Sequence, residues 1–318
     1  MDPDAARELK ARILERLPSA VEASSQAAGH DAPWPWVAVG LRPTGDGARV
    51  AVRLQREDDR ALLPDLGRVA EAQLDVRVIG PVRSLTSPAD LQRRLRPLRP
   101  GLSVAHRSVT AGTLGGFVRT PAGLAVLSNN HVLAASNAAA LGDAVLQPGP
   151  ADGGTPQDRV AALTAVQRMV ADGANLVDAA VAVLDDGVAA EPGDLPGGPL
   201  LGTVPAGLDV DPDEAVEKVG RTTGHTTGRI TAVEVDGVAV QYDDAVYRFD
   251  DQIEIEGRTG AFSAGGDSGS VIWRSRDRAP VALLFAGSAT GGSGGTGVTF
   301  ANPLAIVLSA LGVTWVSG

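Results

Sequence analysis

From residue 105 to the C-terminal end the chain is a succession of short apolar runs of β-type residues, broken by Gly, Asp or Asn about every ten residues, a rhythm suited to sandwiches and barrels. The runs include TLGGFVRT, GLAVLSN, DAVLQPG, DAAVAVL, RITAVEV, GVAVQY, AVYRF, QIEIE, GSVIWR and VALLFAG. About a dozen strands of this kind are too many for one small closed barrel, and enough for two packed side by side. The 39 Gly and 21 Pro among 318 residues fit strands and turns and disfavour a helical bundle or a coiled coil. The last apolar segment, NPLAIVLSALGV from Asn302, has helical spacing behind an Asn and a Pro and predicts a C-terminal helix.

The first hundred residues have another texture. Leu9, Ile13 and Leu17 form one apolar stripe of a helix predicted from Ala5 to about Leu17, which Pro18 then stops. Beyond Pro33 and Pro35, residues 36–42 and 48–54 read as two strands joined by a TGDG turn, and Leu74–Gly80 as a third. The stretch RRLRPLRPG, with Arg93, Arg94, Arg96 and Arg99, reads as a solvated connector. The expected division is an N-terminal α+β accessory domain and linker over 1–100 and a second domain over 101–318.

Composition narrows the function classes. A net charge of −10 repels phosphate backbones and acidic membrane surfaces, so nucleic acid and membrane are disfavoured as partners. The absence of cysteine removes disulfides, thiolate catalysis and thiolate metal sites, and suits a reducing compartment. Four histidines, His30, His106, His131 and His225, make a multi-histidine metal centre improbable, and no other cofactor signature is present. The N-terminal MDPDAARELKARILERL lacks the apolar core of a secretory signal, and no run reaches the about 18 apolar residues needed to span a bilayer. The expectation is a cytoplasmic soluble protein without metal or cofactor.

Three segments carry chemistry. Residues 265–270, GGDSGS, place Ser268 in a Gly-bounded turn where its hydroxyl is accessible and backbone N–H groups converge. Residues 127–134, LSNNHVLA, put His131 at the end of an apolar run. Residues 175–184, NLVDAAVAVL, set Asp178 inside an apolar strand, where a carboxylate needs a partner and a histidine N–H is a fitting one. Taken singly, these are also what a Gly-rich loop, a packed histidine and a satisfied core acid look like. Together, in the order His, Asp, Ser, they match the requirements of nucleophilic acyl transfer.

That order and those segments resemble the trypsin and chymotrypsin family of serine peptidases. LSNNHVLA is similar to the histidine segment of HtrA-type bacterial proteases; VGRTTGHTTGRI, residues 219–230, and the closing TGVTFANPLAIVLSALGV are similar to the streptogrisin and α-lytic group. Together they cover most of residues 105–318. The resemblance implies a mostly β, chymotrypsin-like fold: two six-stranded antiparallel β-barrels, one over about 105–190 and one over about 200–318, with a C-terminal helix. It implies an intracellular serine endopeptidase of bacterial type, acting on protein or peptide substrates through an acyl-enzyme. Ser268 would be the nucleophile, His131 the general base and acid, Asp178 the group that orients His131, and the Gly266 and Ser268 N–H groups the oxyanion hole. In trypsin the acid preceding the nucleophile pairs with a newly cut N-terminus. With about 100 residues ahead of the barrels, Asp267 is expected to find an internal partner instead. Ser270 replaces a common glycine and is expected to narrow the adjoining cleft.

By the same resemblance the specificity pocket comprises Phe262 at its base and Ala286, Gly287 and Ser288 in its wall. None is acidic, which disfavours a Lys or Arg preference and favours a modest uncharged side chain. His225 reads as an incidental loop residue, and TGGSGGTG, residues 290–297, as a flexible hairpin tip. The N-terminal module is available for self-association or a regulatory partner. The competing reading is a catalytically silent binding or scaffold protein on the same fold, and an esterase using the same nucleophile is a third.

Overall fold

A computed structural model of the chain describes residues 1–17, 37–63, 71–79, 82–83, 90–207 and 210–318. The readings at Pro18, His30, Pro33, Pro35 and Gly80 lie outside the described residues. Helix α1 (Pro3–Leu14) opens on Asp2, whose carboxylate accepts the Asp4 N–H at 2.9 Å, with Pro3 in the first turn. Such capping satisfies donors that have no partner inside the helix. The helix ends at Leu14 and residues 15–17 continue as a turn, earlier than the stripe suggested; Ala6, Leu9 and Ile13 are its buried face.

Strands β1 (Val37–Thr44) and β2 (Gly47–Leu54) form the expected hairpin around Gly45 and Asp46, and β3 (Leu74–Val78) lies parallel to β2. A two-residue strand, β4 (Val82–Arg83), follows. The arginine-rich stretch does more than connect. Leu98 and Leu102 are fully buried in the core of the next sheet, while Arg94 and Arg99 reach outward to Asp158 and Asp194, each at 2.8 Å. The interspersed leucines anchor the stretch, each contributing roughly 1.5–3 kcal/mol by burial.

The first half of the following domain contains β5 (Ser103–His106), β6 (Gly112–Thr113), β7 (Gly116–Thr120), β8 (Gly123–Ser128), the single turn α2 (Asn130–Leu133), β9 (Ala144–Leu146), β10 (Arg159–Val166), β11 (Ala174–Asn175) and β12 (Ala180–Leu184). Antiparallel pairing runs β7-β8-β12-β10-β9-β5-β6 and the sheet curls around a core that includes Phe117, Val126, Val145 and Ala182.

The second half contains β13 (Ala215–Gly220), β14 (Gly224–Asp236), β15 (Val238–Gln241), β16 (Val246–Phe249), β17 (Gln252–Gly257), β18 (Val271–Arg274), β19 (Pro280–Ser288) and β20 (Thr299–Pro303). Six of these strands close a ring, β13-β14-β17-β20-β19-β18 and back to β13, every pairing antiparallel. Helix α3 (Leu304–Leu311) is the predicted C-terminal helix, beginning two residues later because Asn302 and Pro303 finish β20. A last strand, β21 (Thr314–Val316), crosses back to pair with β7 of the first half, which helical spacing alone did not foretell.

The N-terminal hairpin continues the second sheet. β1 pairs with β14, and Arg53 on β2 donates to buried Glu254 on β17 through Nε at 2.5 Å and Nη2 at 3.0 Å. Thr231 Oγ1 donates to the same carboxylate at 2.6 Å. Such a fully desolvated pair needs geometry this close and extra donors to offset its dehydration. β4 inserts beside β19, with Arg83 opposite Gly287 and Val82 opposite Ser288. Gln55 holds it there, donating to the Ala239 carbonyl at 2.7 Å and accepting the Val82 N–H at 2.9 Å.

Candidate active site

His131 sits on α2, immediately after β8. Val132 and Leu133, both fully buried, pin the turn to the first core, while Asn129 donates to the Asp178 carbonyl at 2.7 Å. Asp178 lies two residues before β12 and is wholly buried, its own N–H held by the Asn302 side chain at 3.0 Å. Its carboxylate accepts from the His131 backbone N–H at 3.1 Å and stands 2.5 Å from His131 Nδ1. With Asp178 ionised, Nδ1 carries the proton and Nε2 is left with a free lone pair. The pairing that an acid inside an apolar run demanded is therefore met by the histidine expected.

Ser268 comes from the other half, in the turn before β18. His131, Gly266 and Ser268 line a single cleft of about 290 Å³ together with Thr110, Ala111 and Tyr242. The Ser268 hydroxyl donates to the Phe285 carbonyl at 3.3 Å, and no hydrogen bond joins it to the His131 ring. A bond of that length is loose for a hydroxyl, so rotation about one side-chain torsion toward the cleft gives up little. Catalytic hydrogen bonds often tighten only when substrate is bound.

The peptides of the turn around Ser268 are anchored through their carbonyls. The Gly265 carbonyl is taken by Thr222 Oγ1, and the Asp267 carbonyl by Ser270 N at 2.9 Å and Ser270 Oγ at 2.6 Å. Because the two ends of a trans peptide point in opposite directions, the N–H groups of Gly266 and Ser268 face away from those anchors. Thr113 of the first half fixes the remaining peptide, donating to the Gly266 carbonyl at 2.7 Å. Gly266 has φ +75°, a conformation that favours glycine, and a Cβ there would crowd the buried Arg221 side chain. Ser270 does not narrow the cleft; it is fully buried and turned into the loop.

Asp267 finds the internal partner expected of it. Fully buried, it accepts from Thr222 N at 2.9 Å, Thr223 N at 3.1 Å, Thr223 Oγ1 at 2.7 Å and Ala264 N at 2.9 Å, and Lys218 Nζ lies 3.2 Å away. Burial pulls the Lys218 ammonium below its ordinary value, and the Asp267 charge opposes that. Gly220 makes room for the pair, since a Cβ there would stand 2.2 Å from Asp267 Oδ1. Lys218 carries a signal in the sequence: two residues from Val216 in the alternating run AVEKVG, it falls on the inward face of β13.

The expected specificity residues do not open onto this cleft. Phe262, Ala286, Gly287 and Ser288 are all buried, and none lines it. Phe262 belongs to the same buried core as Ile255 and lies under Lys218, whose Nζ is 5.8 Å from its ring centre. β4 covers the edge of β19 at Gly287 and Ser288. His225, read as incidental, stacks on Trp273 and meets Glu217 at 2.7 Å. Among the described residues no cluster of three or more histidine and carboxylate side chains is gathered to hold a metal ion.

A closed six-stranded ring packed against a second curled sheet, with an Asp–His pair from one and a serine turn from the other, defines the chymotrypsin-like class of folds. The known proteins most informative about it are bacterial serine proteases. Glutamyl endopeptidase 2 of Streptomyces griseus is 40% identical over 102 residues, 32% of this chain; the match spans about half, 47%, of that relative's length. A glutamic acid specific serine protease, described as using a histidine triad in substrate binding, superposes with a TM-score of 0.51 at 20% identity, covering 69% of this chain and all of that one. Protease A of Thermobifida fusca superposes at 0.47 with 16% identity over 70% of this chain and all of its own. No family model matches the chain.

Proposed function

We propose that the chain is a serine endopeptidase that cleaves peptide bonds through an acyl-enzyme. The observation that supports this most is the buried Asp178–His131 pair opening, in one cleft, onto a serine flanked by two backbone N–H groups free to receive an oxyanion. In this reading Ser268 Oγ attacks the scissile carbonyl and passes its proton to His131 Nε2. The carbonyl oxygen gains charge between the Gly266 and Ser268 N–H groups; each such donor is worth about 3–4 kcal/mol in the barrier. His131 then returns the proton to the leaving amine, and water repeats the cycle on the ester. A fluorophosphonate probe tests the reading: labelling is expected on Ser268 and should vanish in Ser268→Ala and His131→Ala. Folded protein that takes up no probe points instead to the silent scaffold.

The relative is by name a glutamyl endopeptidase, yet here a different preference is favoured. Among the described histidines, His106 is tied to Asp143 at 3.2 Å and His225 to Glu217, leaving His131 alone at the cleft. The cleft itself is lined by Asp243 and Asp244 and, among the described residues, by no lysine or arginine, which disfavours an acidic side chain. The preference proposed is for an uncharged side chain, as expected from the sequence. The cytoplasmic setting rests on the cysteine-free composition.

An extended peptide approaching Ser268 would add to the edge of β19, where β4 already lies. Removing its clamp by Gln55→Ala is accordingly expected to raise kcat/KM for a peptide several-fold while leaving the labelling rate with a small phosphonate unchanged. Equal changes in both rates would show that β4 does not compete with substrate.

A further inference from the structure

Tyr242 touches the triad from the opposite half of the molecule. It follows β15, at the base of the connection to β16, and its hydroxyl donates to Asp178 Oδ2 at 2.7 Å. That oxygen is also the one facing His131 Nδ1. The ring meets the His131 ring edge-on, centroids 5.3 Å apart at 61°, and is held from behind by Tyr247 at 5.5 Å and Phe249 at 6.4 Å.

Among the described residues the Asp178 carboxylate has three hydrogen-bond partners, and two belong to His131 itself. A carboxylate bound only to the group it orients can pivot together with that group. Tyr242 supplies the one attachment from outside the pair, and from a different sheet. Burial and the neighbouring Asp178 charge push the phenol well above its usual value, so it remains a donor. No sequence pattern marked it; it is one of two tyrosines in the chain, and its partner lies 64 residues away.

We infer that Tyr242 is a positioning residue for the proposed acyl transfer: its hydroxyl, reaching across from the second half, fixes the plane of the Asp178 carboxylate and through it the direction of His131 Nε2. The role builds on the serine-peptidase reading and adds a fourth side chain to it.

Tyr242→Phe keeps the ring and removes only the hydroxyl. Expected are a kcat about tenfold lower, a KM for a short peptide within twofold of the wild type, and a displaced downfield proton resonance of His131 Nδ1. Tyr247→Phe removes another phenol from the same cluster, one bonded to Asp244 at 2.7 Å, and is expected to change none of the three. In an Asp178→Asn background the Tyr242→Phe loss should disappear, because residues acting as one unit are not additive. An unaltered kcat and resonance in Tyr242→Phe, or a full additional loss when it is combined with Asp178→Asn, overturns the proposal. If Tyr242→Phe does not fold, fluorotyrosine incorporated at both tyrosines preserves the ring and sharpens the donor; an unmoved resonance with unchanged kcat then overturns it. A wild-type protein inert to peptide and probe defeats the peptidase reading, whereas the resonance needs no turnover and still decides the part played by Tyr242.

Discussion

Asp178→Asn is expected to lower kcat by about four orders of magnitude, close to 5.5 kcal/mol in the barrier, without loss of the fold. The substitution preserves shape, and the Asn oxygen can still accept the His131 backbone N–H that Asp178 Oδ1 now takes at 3.1 Å. Its amide nitrogen, however, turns a donor toward Nδ1, where the carboxylate stands at 2.5 Å. Nδ1 then becomes the acceptor and Nε2 carries the proton, so the ring has no lone pair to offer Ser268. Steady-state kinetics on a peptide, with circular dichroism for the fold, checks this. A kcat within tenfold of the wild type would remove Asp178 from the mechanism.

Lys218→Met should be the most damaging change outside the triad, lowering stability by about 3–5 kcal/mol and activity at least a hundredfold. Both partners of the ion pair are fully buried, so removing the ammonium leaves a carboxylate with hydrogen bonds and no counter-charge. That carboxylate holds Thr222, Thr223 and Ala264, and these define the turn that aims the Gly266 and Ser268 N–H groups. Adding Asp267→Asn removes the orphaned charge, and the double variant is expected to recover most of the stability, since a buried pair replaced on both sides is often near neutral. Urea unfolding measures each step. A single variant within about 1 kcal/mol of the wild type, the range of ordinary surface changes, would show that the pair does not hold the turn.

The readability of the site follows the range of the interactions that build it. The pairing of Asp178 with His131 and the presence of Ser268 on the same cleft were foreshadowed because each demand is local: a Gly-bounded turn, a strand-end imidazole, an acid with no business in an apolar run. Lys218 was half legible, since alternation along β13 turns it inward, but its target lies far along the chain, in the turn before the neighbouring strand β18. Asn302 was read as the start of a helix, and the structure spends its side chain on Asp178 N and Gln252 instead. Tyr242 and β4 carried no signal because register between distant strands decides them. The strands themselves were largely foreseen from turn punctuation, whereas the return of β21 to the first sheet and the continuity of the N-terminal hairpin with β14 depend on edges left open by the rest of the fold.

The cation beneath the Ser268 loop is carried by a residue of the same sheet, present from the moment the strands close. Such a loop takes its shape at folding and does not wait for scission to release a new chain end. In the serine-peptidase reading, control then falls to something reversible, and the short strand at Val82–Arg83, paired with β19 and β15 and held by Gln55, is the candidate obstacle that Gln55→Ala tests.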